Sequence, residues 1–187
     1  MRQDQAQDRS ALGGKILRIR PDGSVPADNP FPGSPVWSYG HRNVQGLAFD
    51  STGQLWATEF GQSTWDELNK VVKGGNHGWP EVEGRGARDG FVDPQVVWAT
   101  SDASPSGLAV VGDVAYVGAL RGRRLWQVPL TGGVAGRPVA LLDGDLGRLR
   151  TVEPAPDDGG LWVTTSNTDG RGSPRSGDDR VVRVPLP

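Results

Sequence analysis

The residues from His41 to Pro80 (HRNVQGLAFDSTGQLWATEFGQSTWDELNKVVKGGNHGWP) concentrate the chemistry of this chain. Arg42, Asn43 and Gln45 come first. Glu59, Gly61, Gln62 and the adjacent acids Asp66 and Glu67 follow, and then a Gly74-Gly75-Asn76 turn. A guanidinium, amides, carboxylates and glycine-freed backbone carbonyls suit an anionic ligand together with a hard, oxygen-seeking cation. For these residues to meet, the chain between them must double back. Gly46 to Asp50 and Leu55 to Glu59 read as antiparallel strands around a Ser51-Thr52-Gly53 turn. Such a hairpin returns Gly61 and Gln62 to the neighbourhood of Arg42 and Asn43.

The composition supports that geometry. Among 187 residues there are 28 glycines, 15 prolines and 7 tryptophans, which with recurrent Val/Leu runs is the make-up of an all-β chain with many tight turns. A formal net charge of -2 and scattered basic residues give no nucleic-acid footprint. The absence of cysteine excludes disulfides and thiolate metal sites. No apolar run approaches the roughly 20 residues of a membrane span, and the polar start MRQDQAQDRS contains no signal-peptide core.

The hairpin recurs. GLAFDSTGQLWATEF begins at Gly46, GLAVVGDVAYVGAL at Gly107 and VEPAPDDGGLWVTTS at Val152. Aligning Gly53 on Gly159 puts Leu55-Trp56 on Leu161-Trp162 and Arg42 on Arg148, while the second repeat puts Arg121 at the place of Gly61. Later strands follow each hairpin: LNKVV, RRLWQVPL and DRVVRVPLP. Units of roughly 40 to 60 residues built this way are the signature of propeller blades. The expectation is a loop or disordered start over 1–13 and a partial propeller over 14–187. Its opening strand, Lys15–Pro21, is expected unpaired or at the outer part of a sheet, with Leu17 and Ile19 on its apolar face. Trp56, Trp126 and Trp162 are expected in blade packing. Arg42, Arg121, Arg148 and Arg150 are expected to converge at one mouth, Arg148 from a loop where its loss leaves the fold intact.

The motifs GHRNVQGLAF, EFGQSTWDELN, KGGNHGWP, GALRG and GRLRTV, in that order, resemble the pyrroloquinoline-quinone (PQQ)-dependent glucose/sorbosone and aldose sugar dehydrogenases. The likeness runs from about Gln5 to the C-terminus. It implies a six-bladed propeller, of which this chain supplies about three blades of four-stranded antiparallel sheet plus an orphan strand. It implies oxidation of an aldose at its anomeric carbon, with PQQ and calcium in the central mouth. Position by position, it assigns the cofactor to Arg42, Asn43, Arg121, Arg148 and Arg150, with Arg121 standing where a lysine is usual. It assigns the cofactor's calcium to the carbonyls of Gly61 and Gln62, the latter replacing a frequent proline. A second calcium region falls on Glu67 and the backbone of His77, which stands where tyrosine is common.

The family's general base is a histidine on an earlier blade. Neither His41 nor His77 maps to it, so the chain alone is expected to be inactive. The implied partners are a sugar and either missing N-terminal blades or another copy of the chain. The implied location is periplasmic or secreted. Two other readings stand beside this one: a calcium-dependent lactonase-type propeller, and a non-catalytic fragment that binds sugar or a protein partner. Adjacent Asp66 and Glu67 would point oppositely on a strand, which counts against the lactonase.

Overall fold

A computed structural model describes residues 3–156 and 159–186. Regular structure is strand throughout, apart from one 3-10 turn at Gln3–Ala6. Strands β1 (Lys15–Leu17) and β2 (Val36–Tyr39) form an antiparallel pair. Strands β3 (Val44–Phe49), β4 (Leu55–Glu59), β5 (Trp65–Lys70) and β6 (Val96–Ala99) follow as an antiparallel meander. The next sheet is β7 (Pro105–Val111), β8 (Val114–Ala119) and β9 (Arg124–Thr131), with β10 (Val134–Ala135) and β11 (Val139–Leu141) both paired to β9. The last is β12 (Leu149–Pro154), β13 (Leu161–Thr165) and β14 (Val181–Val184). No helix among the described residues is long and apolar enough to cross a membrane.

The first strands of the three larger sheets, β3, β7 and β12, lie side by side. Glycine permits the approach. A Cβ on Gly46 would stand 2.7 Å from the Ser106 carbonyl oxygen, and one on Gly107 would stand 2.5 Å from the Val152 nitrogen. Thr58 Oγ1 crosses between sheets to donate to that Ser106 carbonyl at 2.7 Å. Successive antiparallel sheets joined at their first strands form part of a β-propeller, as expected. The strand numbers are four, five and three, where four each had been expected.

Cores lie between sheets. Trp56, Leu68, Val96 and Trp98 meet Leu108, Val117 and Val128. On the far side of the middle sheet, Tyr116 and Leu125 meet Leu149, Val152, Leu161 and Val163. Each such interface removes apolar surface on two sheets from water at roughly 25 cal/mol per Å².

Three expectations need correction. The opening strand is not left unpaired, and it is shorter than expected: after Leu17 the chain leaves for the turn closed by Arg20 N to Ser24 O, and Lys15–Leu17 pairs with Val36–Tyr39. Its buried residue is Ile16, packed with Ala57 and Val71, while Leu17 and Ile19 are 42% and 58% exposed. A slip of one residue exchanges the faces of a strand. Trp162 occupies the place of Trp56 in register, yet is 40% exposed where Trp56 is fully buried, because no sheet of the described residues covers that face. The segment before β1 is loop apart from the 3-10 turn, and it is tied down: Ala6 is buried, and Gln7 Nε2 donates to the Trp79 carbonyl at 2.6 Å. The turn of the third hairpin falls partly on 157–158, outside the described residues.

Candidate functional site

The residues singled out for chemistry gather at the loop end of the sheets, where β3 begins and β4 ends. Glu59, the last residue of β4, organises this end. Its Oε1 accepts the backbone N–H groups of both Arg42 and Asn43, the latter at 3.1 Å. Its Oε2 meets His41 Nδ1 at 3.0 Å and Asn69 Nδ2 at 3.4 Å. The other ring nitrogen of His41 lies 2.8 Å from Ser38 Oγ, and Ser38, His41 and Glu59 are all buried. One carboxylate therefore fixes the peptide units of the Arg-Asn pair, and the chain closes behind them through Phe60 N to Asn43 O.

So held, Arg42 donates from Nε to Gln62 Oε1 at 2.9 Å and from Nη1 to the Phe60 carbonyl at 3.0 Å. Its guanidinium carbon lies 5.7 Å from the centre of a Trp79 ring, a cation–π distance. Arg42, Asn43, Gln62 and Trp79 line a cavity of about 320 Å³. The remaining guanidinium N–H groups meet no acceptor among the described residues. Free forked donors beside a flat aromatic ring fit a planar polycarboxylate.

Beneath it lies a second hole of about 10 Å³, lined by Glu59, Gly61, Glu67, His77 and Glu83 among others. Burial, reinforced by the charge of Glu59, pushes the Glu67 carboxyl up to about 7. Its oxygens accept from Asn69 Nδ2 at 2.9 Å and from Gly84 N at 2.8 Å. Glu83 also loses water on burial. Three backbone N–H groups, from Ser63, Thr64 and Trp65, nevertheless hold it below the usual carboxylate range. His77 stacks on His41 at 4.5 Å, and both its ring nitrogens are buried without a partner. Burial and the neighbouring His41 depress its basicity far below the ordinary value.

A carboxylate-lined hole of one-water size suits a hard cation. Among the described residues, however, no three His, Cys, Asp or Glu side chains converge as metal ligands, so backbone carbonyls would have to complete any shell. Asp66, one residue from Glu67, turns the other way and accepts from Gly61 N at 3.0 Å and Ser104 N at 2.7 Å. That removes it from a shared metal shell, as the strand argument expected.

Among the described residues the named side chains line three cavities. Arg42, Asn43 and Gln62 share the first cavity, while Gly61, Glu67 and His77 share the small one. Arg121 and Arg148 line a third cavity of about 320 Å³ between the second and third larger sheets. Arg150 is exposed on β12, its Nε 3.4 Å from Ser166 Oγ. Arg148 is not a loosely held loop residue. It is buried, paired to Asp169 at 2.9 Å, and donates to the carbonyls of Ser166 and Leu120. It lies in the bend before β12, as expected, and its contacts there should contribute to stability. Sequence reasoning also passed over Trp79 and the organising role of Glu59. The only signal for Glu59 was its place at the end of the hairpin, four residues after Leu55.

The glucose/sorbosone dehydrogenase family matches residues 1–174. The PQQ-bound aldose sugar dehydrogenase of Streptomyces coelicolor superposes with a TM-score of 0.94 at 56% identity, over 98% of this chain and 55% of that one. The aldose sugar dehydrogenase YliI of Escherichia coli is 31% identical over 88% of this chain and 51% of its own length. Quinoprotein glucose dehydrogenase B of Acinetobacter calcoaceticus is 51% identical over a shorter stretch, 42% of this chain and 17% of its own length. The chain spans about half the length of curated relatives that it matches over most of its own length.

Proposed function

For a chain that belongs to the glucose/sorbosone dehydrogenase family, we propose that it forms part of the cofactor and calcium site of a quinoprotein sugar dehydrogenase. The observation that carries the reading is the cavity of Arg42, Asn43, Gln62 and Trp79, with both leading peptide units gripped by Glu59. The chemistry a bound quinone and calcium would supply is two-electron oxidation of an aldose at its anomeric carbon, with the cation as Lewis acid. Arg42 and Asn43 bind and orient carboxylates, and Trp79 gives the site a flat apolar wall. Arg121, Arg148 and Arg150 would face the same group from neighbouring sheets. The carbonyls of Gly61 and Gln62 would hold one cation, and Glu67 with the His77 carbonyl another.

Neither histidine of this chain is the proton acceptor. His41 has both nitrogens engaged inside the fold, and His77 is buried against it. Further support comes from the two end faces. Leu47 and Phe49 are 51% and 65% exposed on one, Trp162 and Val181 are 40% and 69% exposed on the other, and more blades or a second copy would cover them.

Absorbance titration with PQQ and calcium tests the reading. Binding should weaken about tenfold or more in Arg42→Ala, the loss of a charge-assisted contact. Dye reduction by aldoses should be negligible with this chain alone. Quinone affinity unchanged in Arg42→Ala, or brisk sugar-dependent dye reduction by the chain alone, would overturn it.

A further inference from the structure

Segment 60–64 joins β4 to β5, and a carboxylate from the connection between β5 and β6 holds its far half. Glu83 Oε1 accepts three successive backbone N–H groups, from Ser63, Thr64 and Trp65, at 2.8, 2.9 and 3.2 Å. A run of N–H groups converging in this way is a concave anion site, and here a side chain of the same fold fills it. The near half is pinned separately, by Gly61 N donating to Asp66 Oδ1 at 3.0 Å. The segment is closed tightly. A Cβ on Gly61 would run into the Trp65 carbonyl and stand 2.8 Å from Glu83 Oε1.

The carbonyls of this segment can be followed one by one. Phe60 O accepts from Arg42 Nη1 at 3.0 Å, Ser63 O from Thr100 Oγ1 at 3.3 Å and Thr64 O from Thr100 N at 3.2 Å. Those of Gly61 and Gln62 meet no donor among the described residues. They sit between the two fixed halves, Gly61 at the small hole that Glu83 also lines and Gln62 at the cavity of Arg42. Open carbonyls suit a hard cation. Two neutral ligands on a short loop bind it well only when the loop is ordered beforehand, since ordering it on binding costs affinity.

We propose that Glu83 is a positioning residue for the cation site. By gathering the three N–H groups it holds the peptide units of Gly61 and Gln62 in the conformation that presents their carbonyls to calcium. The identity of the cation rests on the quinoprotein reading, whereas the hold on the loop rests on the three hydrogen bonds.

Two measurements on the full chain test it. The first is amide hydrogen exchange without ligand. The second is calcium titration at saturating PQQ, followed through the quinone's absorbance. In Glu83→Ala the amides of Ser63, Thr64 and Trp65 should exchange at least about tenfold faster, and calcium should bind at least about tenfold more weakly. Glu83→Gln keeps the reach and an acceptor oxygen without the charge, so it should restore most of both. Glu83→Asp keeps the charge without the reach, so it should behave like the alanine variant, and it carries the test should that variant fail to fold. Glu81→Gln, a loss of charge at an exposed neighbour, should match the parent. Amides still protected in Glu83→Ala and Glu83→Asp, or calcium affinity unchanged in them, would overturn the proposal and leave the quinoprotein reading standing. Equal losses in Glu83→Gln and Glu83→Ala with Glu83→Asp unharmed would also overturn it, because the charge and not the hold on the loop would then matter. A parent that shows no response to calcium would overturn both the proposal and that reading.

Discussion

Replacing Glu59 by alanine should unfasten the Arg42–Asn43 turn. The carboxylate satisfies four donors: the amides of Arg42 and Asn43, His41 Nδ1 at 3.0 Å and Asn69 Nδ2 at 3.4 Å. Water can reach the two part-buried amides once the side chain is gone. It cannot readily reach His41 or Asn69, which are 1% and 0% exposed. An orphaned buried donor costs about 1–3 kcal/mol; His41 is left so, while Asn69 Nδ2 loses one contact but keeps its bond to Glu67 at 2.9 Å, which puts the loss at roughly 2–4 kcal/mol. That is a large part of a typical domain's stability of about 5–15 kcal/mol. Glu59→Gln keeps one carbonyl oxygen for the two amides, and a tautomer change lets His41 accept from the new amide. Its cost should be roughly 1–2 kcal/mol. Urea unfolding followed by tryptophan fluorescence measures both. An alanine variant within about 0.5 kcal/mol of the parent, or no milder than which the glutamine variant proves, would refute the claim that this carboxylate organises the turn.

Arg148→Ala should lower stability by roughly 1–3 kcal/mol, since it leaves the Ser166 and Leu120 carbonyls without its donors, while exposed Asp169 keeps Ser166 Oγ and Arg171 N; a neutral result in the same unfolding assay would show that these contacts contribute nothing. Gly107→Ala should cost about 1–3 kcal/mol, because its Cβ meets backbone of β12 that cannot move aside, and an unfolding midpoint equal to the parent's would show otherwise. The raised pKa of Glu67 means that the folded state holds its proton more tightly than the unfolded chain. Stability should therefore fall by up to about 3 kcal/mol as pH rises from about 4.5 to about 7, and level off above. Glu67→Gln should remove that slope in pH-dependent melts, and calcium should restore stability to the parent above pH 7, because a nearby cation favours the ionised carboxylate.

Much of this molecule is legible locally. Strand Leu55–Glu59 falls where alternation and the Ser51-Thr52-Gly53 turn put it, because a hairpin is specified by a few adjacent residues. The repeat of that hairpin is enough to imply blades, and the motifs around it are enough to name the family. The faces were not legible. In the opening strand, apolar residues stand at consecutive positions 16 and 17 and again at 19. A period of two then leaves either set free to be buried, and only the position of β4 and Val71 selects Ile16. Trp56 and Trp162 are alike in sequence and in register, yet a neighbouring sheet covers one and none of the described residues covers the other. The partners of the arginines are set in the same way. Spacing places Arg42, Arg121 and Arg148 at one end of their sheets. Where each guanidinium goes depends on Gln62, Asp169 and the carbonyls of Phe60, Ser166 and Leu120, which only folding brings within hydrogen-bond reach. Side-chain hydrogen bonds act over about 3 Å, and chain position alone does not decide distance at that scale.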